Sequence, residues 1–218
     1  MNLSELVIND ITPIGIDQKI SAVKQMFNNL TYSHIPVSNS EGEFIGCVSE
    51  SDSHCFNSSE TIQDCEYAIE LFSVDEKTNW LDVLEAFAQN AANIMPVLSE
   101  GAYIGYYELN DIISLFDQTP FFYEAGAVLV VKKEPNDYSF SEISQIVESN
   151  NAKLLGAFLT KLDTDYAEIT LKINNTGLSD ITQTFRRYGY EIVAGYEEDS
   201  YVQNLKERSE YLKKYLNI

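Results

Sequence analysis

The chain has 218 residues, of which 44% are hydrophobic and 22% are charged, so we expect a soluble globular protein with one large or two small domains. Its net charge of −20 is concentrated in residues 1–118, which carry 19 acidic side chains and only three lysines. Because such a surface repels phosphate groups, the charge argues against nucleic acids and anionic membranes as partners. No apolar run approaches the about 20 residues that span a membrane.

The N-terminal sequence and the cysteines both predict a cytoplasmic protein. The first ten residues are acidic and lack the basic and apolar regions of a signal peptide. Cys47, Cys55 and Cys65 are odd in number and show no CxxC spacing, which is typical of a reducing compartment.

Residues 1–118 contain an internal repeat, each copy covering about half of them. Pro36 matches Pro96 at an offset of 60, whereas Gly46 matches Gly105 at an offset of 59, because the turn between them is one residue shorter in the second copy. Two apolar pairs also match at an offset of 60, Val23 with Val83 and Phe27 with Phe87.

Each copy predicts the order strand, helix, strand, strand, helix. A short strand, PIGID or ELFSVDE, precedes a segment whose apolar residues recur at i, i+3, i+4 and i+7, the pattern of an amphipathic helix. Two strands follow, HIPV and FIGCV or IMPV and YIGYY, joined by a turn that contains Gly42 or Gly101. The sequences GCVSESD and GYYELND then place Asp52 and Asp111 in the first turn of the last helix. One such unit is too small to cover its sheet, so we expect the two to pack together.

Residues 126–196 predict a different module with the order βαββαβ, a ferredoxin-like split βαβ sandwich. The pattern begins with the strand GAVLVVK, continues through a helix and a hairpin around the turn DTD, and ends with a second helix and the strand YEIVAGY. Beyond it, residues 197–218 place Leu205, Leu212 and Leu216 on one stripe of a comparatively basic amphipathic helix. That helix either completes the core of the module or docks on the acidic half of a chain.

The doubled unit, with its IPV or MPV strand, its IG strand and its recurring aspartate, resembles a tandem pair of CBS (cystathionine β-synthase-type) domains, a Bateman module. The βαββαβ module resembles an ACT domain, and the whole order is similar to bacterial acetoin-utilisation-type CBS–ACT proteins. The predicted fold class therefore combines α/β and α+β. The predicted segments are 1–60 (first CBS copy), 61–118 (second copy), 119–125 (linker), 126–196 (ACT-like domain) and 197–218 (C-terminal helix).

The CBS resemblance implies a cleft on each side of the interface between the copies, where such domains commonly bind adenosine-type ligands. The family motif G-h-h-[ST]-x-x-D places an aspartate against the ribose hydroxyls and a Ser or Thr near the phosphates. Ser49 and Asp52 match both positions, whereas Asp111 has Glu108 in place of the hydroxyl residue. The apolar walls for the base that the resemblance implies are at Ile14, Ile35, Pro36, Leu71 and Ile94.

The same motif has a purely structural alternative. Ser49-x-x-Asp52 is also a capping-box pattern, and an aspartate in a first helical turn is favoured by the helix dipole by about 0.3–1 kcal/mol without any ligand. Asp52 is therefore either a ribose acceptor or a helix cap. Asp111 is interpreted as a helix start, because Glu108 places a carboxylate where phosphate oxygens would approach.

The scarcity of lysines also restricts the ligand. Two like charges about 4 Å apart repel each other by about 4 kcal/mol near a protein surface, and a triphosphate brings about four negative charges. Metal-free ATP or ADP should therefore bind weakly. Better candidates are a neutral nucleoside, S-adenosylmethionine or a nucleotide that carries Mg²⁺.

Other patterns do not favour a metal or catalytic site. His34, His54 and the three cysteines lack the usual spacing of metal ligands, and the sequence contains no catalytic triad order, phosphate loop or dinucleotide fingerprint. The loop after the first ACT-like strand, KEPNDY, has no glycine, which argues against the close approach of an amino-acid ligand.

Two functions follow from this reasoning. The first is a non-catalytic, cytoplasmic sensor in which the CBS pair binds an adenosine-type molecule and the ACT-like module transmits the signal or dimerises. The second is a ligand-free dimerisation scaffold with a degenerate nucleotide site. A homodimer is expected in both cases, and the protein that it regulates is left open.

Overall fold

The computed structural model describes residues 3–174 and 178–195 and consists of two compact units, residues 1–118 and 119–218. The first copy contains β1 (Ile14–Gly15), α1 (Ile20–Asn29), β2 (His34–Ser38), β3 (Phe44–Ser49) and α2 (Glu50–Cys55). The second copy contains β4 (Val74–Asp75), α3 (Trp80–Asn90), β5 (Ile94–Ser99), β6 (Ala102–Glu108) and α4 (Leu109–Asp117). Two 3-10 helices, Leu3–Leu6 and Gln63–Ala68, precede the copies. Within the described ranges, every helix is too short or too polar to cross a membrane.

Each copy forms a three-stranded sheet with two helices, as the repeat predicts. The first strand of each sheet pairs with the second in parallel, and the second pairs with the third in antiparallel, giving the orders β1-β2-β3 and β4-β5-β6. Helix α1 buries Ile20, Val23 and Phe27, and helix α3 buries Val83 and Phe87 at the equivalent positions. The helical period of these residues determines which side of each helix packs on the sheet.

The segments that lead into the two copies are exchanged between them. Ile8, ahead of the first copy, pairs with Tyr106 of β6, and Glu70, ahead of the second copy, pairs with Cys47 of β3. Both bridges are antiparallel and contain two backbone hydrogen bonds of 2.8–2.9 Å. The last strand of each copy is therefore covered by the leading segment of the other copy.

This exchange explains the glycine of the repeated Ile-Gly motif. Gly46 and Gly105 have positive φ angles of 141° and 148°. A Cβ atom on Gly46 would lie 2.7 Å from the carbonyl oxygen of Glu70. A Cβ atom on Gly105 would lie 2.3 Å from the carbonyl oxygen of Ile8. Only glycine both adopts this backbone conformation and lets the leading segment approach so closely.

Equivalent residues of the two copies contact each other, which places them near an approximate two-fold axis. The backbone N–H of Ser33 donates to Asn93 Oδ1 (2.7 Å), and the backbone N–H of Asn93 donates to Ser33 Oγ (2.9 Å). The rings of Phe44 and Tyr103 stack with centroids 5.9 Å apart and an interplanar angle of 19°. The two copies therefore form one unit with equivalent positions on either side of this axis.

The second unit has a four-stranded antiparallel sheet of order β10-β7-β9-β8, which confirms the predicted βαββαβ topology. Its core joins strand residues such as Leu129 and Leu171 to helix residues such as Ile143 and Phe185. The elements are α5 (Pro120–Tyr123), β7 (Ala127–Lys133), α6 (Phe140–Ser149), β8 (Leu154–Leu162), β9 (Ala167–Ile173), α7 (Ser179–Arg187) and β10 (Glu191–Ala194). The predicted helix at 197–218, with Leu205, Leu212 and Leu216, lies outside the described residues.

The strand predicted at ELFSVDE is shorter than expected. Val74 pairs with Val97 in the same register in which Ile14 pairs with Val37, so β4 begins at Val74. Leu71 therefore lies outside the strand, and it is 78% exposed. The predicted extent of the strand is corrected on this point, because Glu70, ahead of it, pairs with the other copy instead of with β5. Leu71 as an apolar wall stays a prediction.

Candidate functional site

The motif Ser49-x-x-Asp52 lies at a cleft between the two copies, which we name the first cleft. The cleft encloses about 380 Å³, within the range of about 300–1,000 Å³ that is typical of ligand sites. Strands β2 and β3 and the start of α2 line one side, the end of α3 lines another, and the exchanged segment contributes Glu70. The lining residues are Ser33, His34, Ser49, Glu50, Ser51, Glu70, Asn90 and Ala91.

Ser49 and Asp52 hold each other at the start of α2. Ser49 is the N-cap, and its Oγ accepts a hydrogen bond from the backbone N–H of Asp52 (3.1 Å) and donates one to Asp52 Oδ2 (2.9 Å). The capping alternative is therefore present in the structure. It uses only one carboxylate oxygen, and within the described residues Asp52 Oδ1 has no donor, so it remains available to a ligand.

The equivalent position in the second copy is filled by the protein's own side chains. Tyr106 is completely buried and donates to Asp10 Oδ1 (2.7 Å), and Tyr32 donates to Glu108 Oε1 (2.7 Å). The two phenol oxygens are 3.0 Å apart, and the rings meet edge to face with centroids 5.5 Å apart. Burial raises the pKa of both phenols, so both keep their protons at neutral pH. Glu108, which replaces the hydroxyl residue of the motif, binds Tyr32 and does not cap α4.

The remaining predicted residues of the second copy lie around this filled position. Ile94 is completely buried in a cluster with Tyr106 and Ile11. Asp111 lies in the first turn of α4 and is partly buried. The contacts of Tyr32 and Tyr106 with Glu108 and Asp10 have no counterpart at the first cleft, so the two positions of the repeat are not chemically equivalent.

The apolar residues predicted as walls in the first copy belong to its core. Ile35 is completely buried and Ile14 is partly buried in the same hydrophobic cluster, and Pro36 is buried within β2. None of the three is among the residues that line the first cleft. The reason is that β2 is buried along its whole length, between β1 and β3, so its apolar side chains pack inside the copy.

His34 is the most deeply buried titratable group of the first cleft. Its side chain is 6% exposed, and its ring meets Phe72 edge to face with centroids 5.1 Å apart. Its Nδ1 lies 2.8 Å from Ser33 Oγ, and its Nε2 lies 3.6 Å from Glu70 Oε1. Burial lowers the pKa of His34 below that of free histidine, although the carboxylates of Glu70 and Asp52 act in the opposite direction. The imidazole is therefore neutral at pH 7.

The first cleft is acidic. Glu50 and Glu70 line it, and its described lining residues include no lysine or arginine. Asp52 is not a lining residue, but it is hydrogen-bonded to the lining residue Ser49. The ammonium group of Lys24 donates to the carbonyl oxygen of Phe56 (2.8 Å). Within the described part of the chain, no three His, Cys, Asp or Glu side chains are arranged to hold a metal ion. The electrostatic character of the cleft therefore comes from its carboxylates.

A larger cavity, of about 620 Å³, lies beside the hairpin turns at Gly42 and Gly101. Its carboxylates are Glu41, Glu43 and Glu100, and it contains none of the predicted site residues. The first cleft is thus the cavity of the two that a predicted site residue, Ser49, lines.

Comparison with known families identifies the first copy. A sequence model of the CBS domain matches residues 3–52, a segment that includes both Ser49 and Asp52. Residues 3–52 are thus similar to a CBS domain. The second copy repeats the strand order of the first copy, and the βαββαβ unit follows it. No curated protein matches the chain.

Several solved CBS structures are similar to about half of the chain. A CBS domain pair/ACT domain protein from Thermotoga maritima is 19% identical with a TM-score of 0.48, over 53% of this chain and 96% of that chain. The CBS pair of a putative Mg²⁺ transporter from Shewanella oneidensis is 14% identical with a TM-score of 0.48, over 54% of this chain and 70% of that chain. The protein CBSX2, in complex with AMP, is 12% identical with a TM-score of 0.45, over 54% of this chain and 96% of that chain.

The motif pattern predicts Ser49, which lines the first cleft, and Asp52, which is bonded to Ser49, but it does not predict His34 or Glu70. The available signal for His34 is its place in the repeat, because the second copy has Ile94 at that position. A buried polar residue where its counterpart is apolar indicates a local role. Glu70 belongs to the exchanged segment, which has neither helical nor strand periodicity in the sequence.

Proposed function

We propose that the chain is a non-catalytic, cytoplasmic regulatory protein that binds one adenosine-type ligand per chain in the first cleft. The difference between the two clefts carries this proposal: Ser49 and Asp52 adjoin an open cavity, whereas Tyr32 and Tyr106 fill the equivalent position. The CBS match supports this class of function, since CBS domains are generally regulatory and non-catalytic.

In the proposed complex, Asp52 Oδ1 accepts hydrogen bonds from the ribose hydroxyls while Oδ2 stays on Ser49. The carboxylates of Glu50 and Glu70 favour a neutral nucleoside, S-adenosylmethionine or a nucleotide with Mg²⁺. Metal-free ATP is disfavoured, because its phosphates would lie near these carboxylates without a lysine or arginine of the cleft to compensate them.

Calorimetric titration of the full chain tests the proposal, with adenosine, S-adenosylmethionine and ATP with and without Mg²⁺. We expect at least one of the three favoured ligands to bind, and micromolar binding of metal-free ATP would contradict the charge argument. The variant Asp52→Asn should bind at least about tenfold more weakly, since it loses a charged acceptor.

The matched control is Asp111→Asn, which makes the same change in the first turn of α4 and should leave the affinity unchanged. If Asp111→Asn weakens binding as much as Asp52→Asn does, the ligand occupies the second cleft and the proposed stoichiometry is wrong.

The ACT-like domain, over the proposed boundaries 126–196, serves in this proposal to dimerise the chain or to transmit the signal. Among the described residues, β8 and β10 are the edge strands of its four-stranded sheet, and each offers an edge to a second copy. Sedimentation equilibrium should give twice the mass of the chain. A monomeric mass at micromolar concentration would remove dimerisation from the proposal.

The filled second cleft favours a second candidate function, a ligand-free CBS–ACT scaffold in which the first cleft is also unused. A thermal-shift screen separates the two candidates. A ligand at 100 times its dissociation constant stabilises its protein by about 2.7 kcal/mol, which is a visible shift. The ligand-free scaffold predicts that no adenosine compound shifts the unfolding temperature, at any concentration up to the solubility limit of the compound.

A further inference from the structure

The two ring nitrogens of His34 have different partners in the first cleft. Nδ1 is within hydrogen-bond distance of Ser33 Oγ, at 2.8 Å. Nε2 faces Glu70 Oε1 at 3.6 Å, which is longer than an ordinary hydrogen bond. Because both residues line the cavity, this long contact leaves space for a further partner of Nε2.

The hydrogen bonds of Ser33 decide where the imidazole proton is. Asn93 Nδ2 donates to the carbonyl oxygen of Thr31 (2.8 Å), so Asn93 Oδ1 is the atom that contacts Ser33. Oδ1 can only accept, and it lies 3.0 Å from Ser33 Oγ, so the hydroxyl proton of Ser33 points to it. Ser33 Oγ then accepts from His34, which places the imidazole proton on Nδ1 and leaves Nε2 as an acceptor.

The opposite tautomer, with the proton on Nε2, fits the distances less well. It would turn the Ser33 hydroxyl towards His34 Nδ1. Two acceptor oxygens, Ser33 Oγ and Asn93 Oδ1, would then lie 3.0 Å apart without a proton between them. In exchange it would gain only the 3.6 Å contact from Nε2 to Glu70. The Nδ1–H tautomer satisfies every short contact.

With this tautomer, two acceptors converge in the first cleft. The lone pair of His34 Nε2 and the carboxylate of Glu70 are 3.6 Å apart, and both residues line the cavity. The edge-to-face contact with Phe72 fixes the imidazole ring, and the bridge to Cys47 fixes the backbone of Glu70. A lone pair beside a carboxylate repels anions and binds an N–H donor, most strongly one that carries positive charge.

We propose that His34 Nε2 and the Glu70 carboxylate form a paired acceptor that determines ligand specificity by binding an ammonium group of the ligand. The inference rests on the proposed function, since it describes a second part of the ligand that Asp52 binds. It adds a chemical class: the ligand of the first cleft is an adenosine compound with a protonated amine.

The first test is the tautomer, by ¹⁵N–¹H correlation spectroscopy of the imidazole nitrogens at pH 8 in the full chain. His34 and His54 are the only histidines, so a His54→Gln variant assigns the spectrum. We expect the His34 Nε2 resonance at the position of an unprotonated nitrogen. A protonated Nε2 in the unliganded chain would overturn the inference.

The second test compares two probes that differ in one group, adenosine and 5′-amino-5′-deoxyadenosine, by calorimetric titration of the full chain. A charge-assisted hydrogen bond should make the amine bind at least about tenfold more tightly than adenosine. In Glu70→Gln and in His34→Phe this preference should fall to less than about threefold. Both variants must first retain the wild-type unfolding transition. If either does not, the Nε2 resonance of the wild type decides, because it should move on addition of the amine and stay in place on addition of adenosine.

The outcomes separate this inference from the proposed function. Equal affinity for the two probes overturns the paired acceptor and leaves nucleoside binding in place. Binding of neither probe overturns both. A preference for the amine that survives in both variants assigns the ammonium to other carboxylates of the cleft and also overturns the inference.

Discussion

Two adjacent tyrosines of β6 should respond in opposite directions to the same substitution. Tyr106 and Tyr107 are both completely buried, and they point to opposite sides of the strand. The hydroxyl of Tyr106 donates to Asp10 and contacts Tyr32. The hydroxyl of Tyr107 has no hydrogen-bond partner in the part of the chain that the structure describes, and burial raises its pKa. Tyr→Phe therefore removes a bonded hydroxyl in one case and an unbonded hydroxyl in the other.

The expected sizes follow from these contacts. A hydrogen bond to a charged group contributes about 1.5–3 kcal/mol, and Asp10 is exposed enough to be hydrated once the bond is lost, so Tyr106→Phe should cost about 1–2 kcal/mol. A buried unsatisfied polar group costs about 1–3 kcal/mol, so Tyr107→Phe should stabilise the protein by about 1–2 kcal/mol. Both substitutions leave the ring and hence the packing of the core in place.

Urea unfolding followed by tryptophan fluorescence measures both effects. Trp80 is the only tryptophan, and its ring packs edge to face on Phe116 at 4.5 Å, so it reports on the first unit. With a typical m value of about 2 kcal/mol/M, the midpoints should move apart by about 1–2 M between the two variants. If Tyr107→Phe lowers the midpoint, its hydroxyl has a bound water as partner and the reasoning about an unpaired group is refuted.

Four further substitutions test other features. Gly46→Ala should lower the free energy of unfolding by more than about 2 kcal/mol, because it combines a positive φ with a clash against the exchanged segment. Its control is Gly42→Ala, at a positive φ of 84° with no atom near the new Cβ. Gly42→Ala should cost only about 1–2 kcal/mol in the same urea assay. The hydrogen bond from Lys133 (2.8 Å) lowers the pKa of Glu142, so Glu142→Gln should cost about 0.5–1 kcal/mol at pH 7. That cost should disappear as the pH falls through the lowered pKa of Glu142. Scanning calorimetry measures the effect, because Glu142 lies in the second unit and Trp80 reports on the first. Because burial lowers the pKa of His34, the unfolded chain binds more protons, and stability should fall as the pH drops below about 6.5. The urea midpoint of His34→Phe should lack this part of the pH dependence between pH 7 and pH 5, and an unchanged slope would contradict the neutral buried imidazole.

Local patterns predict the elements of this fold well, because they depend on residues that are near each other in the chain. The stripe of Ile20, Val23 and Phe27 predicts α1, and the repeat transfers that prediction to α3. The register of β4 is missed, because the apolar run before Val74 reads as a continuation of the strand. In the structure that run turns away to pair with the other copy, which is a tertiary effect.

The candidate site is only partly predictable for the same reason. Ser49 and Asp52 are three residues apart, so one motif contains both. Glu70, His34 and Asn90 come from three separate segments that meet only when the copies pack. The contacts at the equivalent position of the second copy likewise join hydroxyl and carboxylate groups that are distant in sequence. The sequence therefore does not predict them, and the distances in the structure are needed to find them.

The exchange of leading segments gives the first unit the architecture of a domain-swapped homodimer whose two subunits have been fused into one polypeptide. In a symmetric dimer each mutation appears twice, so both clefts must change together. In a single polypeptide each half can vary alone, and the two halves differ: one has Tyr106 and Glu108 where the other has Cys47 and Ser49. One position of the repeat can therefore belong to the packed framework while its counterpart borders an open cavity.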